Sequence, residues 1–220
     1  KPGHPDAIKV SVMNNVLGGG SFSARLFRNL REDKAWTYGS YSSLSPDKLV
    51  GSFEAEAMVK AEATDSALFE MMKEIKELQQ NQISEQDLSL FKNMMAGSFA
   101  RSLEDPAMVA RFALNIERYK LPQDYYTTYL EKLAAVTPAD VLEMANKYLK
   151  PNNAYLVAVG DLSKIKKGLR RLTDNGKIMT YDYYGVEVKQ NAIPSGLTAQ
   201  KVIDDYINAI GGRQKLEGVK

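Results

Sequence analysis

Apolar and polar positions alternate along this chain with two different periods, and each period predicts its own kind of element. From Ala7 to Leu17 apolar residues return at Ile8, Val12 and Val16, one in every four, which predicts a helix ended by Gly18. After a glycine turn, Phe22, Leu26, Phe27 and Leu30 fall on one face of a second predicted helix whose other face carries Arg25, Arg28 and Arg31. Trp36 to Leu44 and Ser52 to Lys60 then switch to period two. Phe53, Ala55, Ala57 and Val59 oppose Ser52, Glu54, Glu56 and Lys60, with Ser45, Pro46 and Asp47 as turn formers between the two runs. An antiparallel hairpin is predicted.

A helical block follows, and its starts carry capping signals. Thr64 precedes a face of Leu68, Met71, Met72, Ile75 and Leu78, while Ser84 with Asp87 precedes Leu88, Phe91, Met95 and Phe99. Asp105 before Pro106, and Thr137 before Pro138 and Asp140, place an N-cap next to a proline at the first helical position. Tyr125, Tyr126, Tyr129, Leu130 and Leu133 form another amphipathic run. The apolar run Tyr155 to Val159, between Asn153 and Gly160, reads as a buried strand. Strands flanking helices predict an α+β fold, with helices packed on one face of a mainly antiparallel sheet.

Beyond Gly160 the character changes to a cluster of Lys164, Lys166, Lys167, Arg170 and Arg171, then a tyrosine-rich stretch and a loop with Pro194 and Gly196. A domain over 1–190 is predicted, with 191–220 as a linker and the first helix of a following, truncated domain. In that helix Thr198 precedes Val202, Ile203, Tyr206, Ile207 and Ile210, and Gly211 and Gly212 stop it.

Composition narrows the function classes. Apolar residues make up 44% and charged residues 25% of the 220, which is ordinary globular usage. A net charge of +2 gives no electrostatic footprint for nucleic acid. With no cysteine there are no disulfides, thiolate nucleophiles or Cys-ligated zinc. No apolar run approaches the roughly 18 residues of a membrane span, and the first residues do not form a signal peptide. A start without Met suggests an excised piece of a longer chain.

The sole histidine, His4, cannot build a zinc site alone, and no intrinsic metal site is expected. Gly18, Gly19 and Gly20 match neither phosphate-binding glycine pattern and follow a helix rather than a strand, so a helix cap and turn is their plain role. Ser21 and Ser23 lack a base. Arg31, at a helix end, and Tyr38, early in the next strand, are donors suited to a peptide carbonyl or its oxyanion. On the residues alone such a pair is more often an ion-pairing arginine and a packed aromatic.

The order of motifs adds to this. The chain carries H-P-D, then N-x-x-L-G-G-G-x-F-S-x-R-L-F-x-x-L-R-E-x-K-x-x-T-Y-G, then T-x-x-A-L at Thr64 and S-E-x-D-L at Ser84. L-E-D-P-A at Leu103, L-P-x-D-Y-Y at Leu121, V-T-P-A-D-V at Val136 and L-V-A-V-G-D at Leu156 follow in sequence. This series resembles the insulinase/pitrilysin family of zinc metallopeptidases, the inverzincins, from His4 to Leu169. The resemblance implies two homologous α+β domains facing each other across a chamber. One bears H-x-x-E-H and zinc; the other supplies an Arg and a Tyr to the substrate backbone.

H-x-x-E-H is absent here, so the resemblance is to the zinc-free, non-catalytic C-terminal domain, with the Arg and Tyr carried onto Arg31 and Tyr38. It implies no cofactor in this chain and zinc in a partner domain, on the same polypeptide or another subunit. It also implies a peptide substrate and no peptidase activity in isolation. Ala35 stands where the family commonly has Gly, and the opening strand of the domain is expected to be missing before Lys1, leaving an edge that a neighbouring segment or self-association would cover. The glycine run resembles a short form of the glycine-rich substrate loop of mitochondrial processing peptidase, which gives Gly18, Gly19 and Gly20 a substrate contact. The tail V-I-D-D-Y-I-N-A-I-G-G-R-Q-K-L resembles the first helix of lipoprotein-carrier-like periplasmic domains, which implies a periplasmic or other extracytoplasmic location in a Gram-negative bacterium. Family members that serve as scaffolding, such as core subunits of respiratory complex III, supply the alternative: an inert interaction domain.

Overall fold

Apolar residues sit all round the first helix, α1 (Ala7–Leu17), and this is what makes it the centre of the structure. Ile8, Val12, Met13, Asn14, Val16 and Leu17 are all buried, and the remaining residues of the helix are half-buried, so it has no fully exposed face. In the computed structural model, which describes residues 2–47, 49–173, 175–188 and 196–217, the chain forms two compact units, Lys1–Lys177 and Ile178–Lys220. The boundary expected between 190 and 191 lies outside the described residues.

In the first unit α2 (Arg25–Phe27) runs on as a π-helical turn, Arg28–Asp33, and leads into β1 (Thr37–Ser45) and β2 (Ser52–Val59). Then come α3 (Thr64–Gln80), α4 (Glu85–Ser102), α5 (Pro106–Tyr119), α6 (Tyr129–Ala134), α7 (Pro138–Tyr148) and α8 (Leu162–Leu169). Helix α1 touches α7, β1, α4 and α6, and the core joins Val12, Leu17, Leu26, Leu30, Leu78 and Met144. The fold is α+β, as the order of elements predicts, with a small antiparallel sheet of two strands among the described residues.

The hairpin follows its alternation. Phe53, Ala55, Ala57 and Val59 turn inward onto the helices while Ser52, Glu54, Glu56 and Met58 face out. Leu44 pairs with Phe53 and Ser42 with Ala55, but between Thr37 and Ser40 the register slips, so that Tyr38 and Gly39 together oppose Met58 in a bulge. The capping signals also translate. Ser84 accepts the Asp87 N–H, Asp105 accepts that of Ala107, and Thr137 with Asp140 closes a reciprocal capping box.

Several expectations change. Thr64 is not a cap: it is already helical and its hydroxyl donates to the Ala61 carbonyl. Phe22 lies before α2 and is 72% exposed, because its residue belongs to the turn and not to the helical face. Tyr125 and Tyr126 precede α6 and lie in turns. Tyr155 to Val159 is no buried strand: Tyr155 and Val159 are almost wholly exposed, and no strand partner stands beside the run among the described residues. Apolar content favours burial, but a strand exists only with a neighbour to bond to.

The second unit contains a turn in which Asp182 Oδ1 accepts the N–H groups of Tyr184 and Val186, flanked by a bridge between Tyr181 and Glu187. Its helix α9 (Ala199–Ala209), capped by Thr198, is followed by α10 (Arg213–Glu217). Val202, Ile203 and Tyr206 on α9 are each more than half exposed.

Candidate functional site

Two arginines of the helical segment after the glycines, Arg25 and Arg31, meet opposite fates. Arg25 faces the acidic edge of α3, where its Nε donates to Glu74 Oε2 at 2.8 Å and its Nη2 to Glu77 Oε2 at 2.9 Å. Asn29 Nδ2 reinforces the same seam, donating to Glu74 Oε1 at 2.7 Å and to Glu70 Oε2 at 3.0 Å. Lys34 stands 3.7 Å from Glu70. With α2 fixed on that side, the π-helical turn brings Arg31 to the exposed side. Its guanidinium carbon lies 4.7 Å from the centroid of Phe27 and 5.8 Å from that of Phe22.

Arg31 has no ion pair among the described residues. Resting on two aromatic rings, the guanidinium gains roughly 0.5–1 kcal/mol for an exposed site. Its N–H donors lie in the plane of the group, so stacking does not consume them.

Tyr38 sits in the bulge at the start of β1 and is 95% exposed, with no hydrogen bond or ring contact among the described residues. No hydrogen bond or ring contact joins it to Arg31. The aromatic residue that reaches the arginine's platform is Tyr41, whose ring is 6.1 Å from Phe27 and leans over Gly39. A Cβ at Gly39 would come within 2.5 Å of the Tyr41 hydroxyl, so the glycine makes room for that ring. Sequence reasoning missed Tyr41, which stands two residues after Gly39 in β1.

Of the glycines, Gly18 is required by close approach: its carbonyl accepts the Ser42 N–H at 2.7 Å, and a Cβ would collide with Ser42 and Leu26. Asn14 completes that junction by donating to the Ser42 carbonyl and accepting its hydroxyl. Gly20 has a φ of +96° and faces open space, where a left-handed backbone favours glycine. Gly19 packs on Asn15. The turn then delivers Phe22 to Arg31, so Arg31 and the glycine run meet through that one ring.

The donor set for zinc does not fit. His4 is the one histidine, its Nδ1 accepts the Asp6 N–H at 3.1 Å, and no group of three or more His, Cys, Asp or Glu is placed to hold a metal ion among the described residues. Asp6 instead ties the chain start to α7. Hydrogen bonds from Lys147 Nζ at 2.6 Å and Tyr148 at 2.7 Å hold its carboxyl below the usual range, and the Lys147 ammonium is raised in turn. No helix among the described residues is long and apolar enough to cross a membrane.

The comparisons with known proteins bear on the whole of this arrangement. Residues 1–95 match the family model of the peptidase M16 inactive domain. YmxG, an uncharacterized zinc protease of Bacillus subtilis, is 33% identical over 102 residues, which cover 46% of this chain and 25% of that protein. The crystal structure of a peptidase M16 inactive domain from Pseudomonas fluorescens is 29% identical and superposes with a TM-score of 0.64, covering 68% of this chain and 35% of that one. A protease from Helicobacter pylori, at 22% identity and a TM-score of 0.57 over 67% of this chain and 35% of that one, shares the fold. The chain thus spans a quarter of the curated relative's length and about a third of these solved chains. Within that span the chain is similar to the inactive domain of the peptidase M16 family, and residues 1–95 carry the match to its model.

Proposed function

We propose that this chain is the substrate-binding half of a zinc metalloendopeptidase that acts on peptides, and that Arg31 and Tyr38 grip the peptide backbone at the scissile bond. The supporting observation is the contrast between spent and unspent donors. Arg25 is consumed by two carboxylates, whereas Arg31 is propped on Phe22 and Phe27 with its N–H groups free, and the Tyr38 hydroxyl stands in solvent. An arginine held without a carboxylate partner keeps its full capacity for a carbonyl oxygen that gains negative charge. Tyr38 adds a neutral donor at the head of the strand. Gly19 and Gly20 offer a backbone without side chains for the peptide to lie against.

On this reading the hydrolytic chemistry belongs to a zinc-bearing H-x-x-E-H domain, on the same polypeptide or a separate subunit, and this chain is inactive alone. The tail's resemblance to periplasmic carrier domains supports an extracytoplasmic location.

Reconstitution with the zinc-bearing half tests the proposal. Arg31→Ala and Tyr38→Phe each lower kcat by about 100-fold or more, the cost typical of one lost oxyanion donor. Unchanged cleavage in both variants returns the chain to the scaffold reading.

A further inference from the structure

Beside the glycine turn the first unit contains an open cavity of about 620 Å³, within the range of small-ligand sites. Met94, Met95 and Phe99 of α4, Met108 and Phe112 of α5, and Tyr126 from the connection to α6 form its walls. Ser98 and Ser102, small residues on α4, leave the space open. No charged side chain lines it.

The aromatic wall is a continuous stack. The Tyr129 ring lies 4.5 Å from Phe99, Phe99 stacks at 5.8 Å on Phe112, and Phe112 stacks at 4.0 Å on Tyr126. Asn115 Nδ2 donates to the Tyr126 hydroxyl at 3.1 Å and fixes the end of the series. Burial pushes the phenols of Tyr125 and Tyr129 up, so both stay neutral. An ionised side chain entering this space would lose water without gaining a counter-charge, whereas an apolar one would lose nothing.

Gly19, Gly20 and Ser21 form the rim. The Gly19 and Gly20 N–H groups bond back to Asn14 and Gly18. The N–H groups of Ser21 and Phe22 and the carbonyls of Gly19 and Gly20 have no partner among the described residues. No atom would stand within 4 Å of a Cβ at Gly20, so another backbone can approach. Free main-chain donors and acceptors beside an apolar recess match an extended peptide, which presents both groups on its backbone and a side chain at every second residue. A lipid or fatty acid has no use for such a rim, and the cavity has no cation for its head group.

We propose that this cavity receives one apolar side chain, aromatic or long aliphatic, of a peptide whose main chain lies along Gly19–Ser21. The inference rests on the reading of this chain as a peptide-binding half and gives that half a side-chain preference.

Three methionines make the test direct. In the full chain labelled with ¹³C at the methionine methyls, Met94, Met95 and Met108 report the cavity, and the fully buried Met13 and Met144 report the fold. The probes are Ac-Ala-Ala-Phe-Ala-Ala-NH₂, its Asp-for-Phe counterpart, and toluene. The Phe peptide shifts the three cavity methyls saturably, the Asp peptide binds at least about ten-fold more weakly, and toluene also binds more weakly than the Phe peptide. Ser98→Trp, from an exposed position on α4, fills the space and weakens the Phe peptide at least about ten-fold; Ser102→Leu serves if Ser98→Trp moves Met13 or Met144. Silent cavity methyls, equal binding of the two peptides, toluene as tight as the peptide, or undiminished binding by the filled variant each overturn the proposal. Cleavage with the zinc-bearing half reads the Arg31 and Tyr38 roles separately, so either proposal can fail without the other.

Discussion

The guanidinium of Arg31 rests on the ring of Phe27, 4.7 Å from its centroid, and Phe27 itself is fully buried. One ring therefore does two jobs: it is buried among the apolar side chains and its face supports a cation. The two residues should separate cleanly in stability measurements. Phe27→Ala opens the core and costs about 3–5 kcal/mol, whereas Arg31→Ala gives up an exposed cation–π contact of about 0.5–1 kcal/mol. Urea unfolding of the two variants checks this, and a loss at Arg31 as large as that at Phe27 would refute the division.

The glycines at the end of α1 differ in their tolerance. Gly18→Ala drives a methyl into the Ser42 backbone and Leu26, a collision with parts that cannot swing away, and costs about 1–3 kcal/mol or more. Gly20→Ala meets no atom and pays only for its left-handed φ, about 1–2 kcal/mol. Thermal unfolding ranks the two. Weaker exchange protection in β1 is expected for Gly18→Ala alone, because Ser42 bonds to the Gly18 carbonyl.

Ala35, in the connection between the π-helical turn and β1, has a φ of +52°. A residue with a Cβ carries backbone strain at that angle. Ala35→Gly relieves the strain at the cost of a more flexible unfolded chain and stabilises by about 0.5–1 kcal/mol net. A rise in urea midpoint at unchanged slope is the expected signature, and a fall would mean that the Ala35 methyl contributes packing that outweighs its strain.

The link between the chain start and α7 depends on pH in a defined sense. Asp6 is depressed below its ordinary 3.8 by the hydrogen bonds from Lys147 and then Tyr148. Burial opposes ionisation of Asp140, but bonds from Lys9 and Thr137 outweigh it and lower that carboxyl as well. A depressed carboxylate contributes stability above its unfolded value and loses it as pH falls through the folded one, so the acid-side loosening lies below 3.8. Lys9 and Lys147 are raised above 10.5, so their share is present below that value and disappears as pH rises beyond it. A carboxyl-carbon NMR titration should place the Asp6 midpoint below 3.8, and Tyr148→Phe with Lys147→Met should return it to the ordinary range.

Tyr155 to Val159 leaves apolar side chains in solvent, and exposed apolar runs of this kind are expected to promote self-association. Val157→Lys with Val159→Lys should reduce concentration-dependent sedimentation while leaving the unfolding midpoint nearly unchanged, since neither side chain is packed. Identical sedimentation would assign any self-association to another surface.

Much of the local structure was legible in advance because its causes are local. Ser84, Asp105, Thr137 and Thr198 cap helices through a hydroxyl or carboxylate two or three residues from its donor, and the period of two in Ser52–Val59 becomes an inward and an outward face. The motif order from His4 onward pointed to the same family as the match over residues 1–95. The residues that went wrong depend on something distant. Phe22 satisfied a helical spacing but lies before the helix begins, and Tyr155 to Val159 had the composition of a strand without the neighbour that would make it one.

The sequence by itself thus determined where the helices capped by Ser84, Asp105, Thr137 and Thr198 start, how the hairpin alternates and which family the chain resembles, since these depend on neighbours within a few positions. Tertiary structure alone decided which polar groups are spent and which are free. Arg25 and Arg31 are chemically identical and nearly adjacent, yet one meets the carboxylates of α3 and the other two aromatic rings. The cavity beside Gly20 has the same origin. It exists because α4, α5 and the connection to α6 pack around the small side chains of Ser98 and Ser102 and meet the glycine turn at Ser21, far earlier in the chain, a relation that no local pattern encodes.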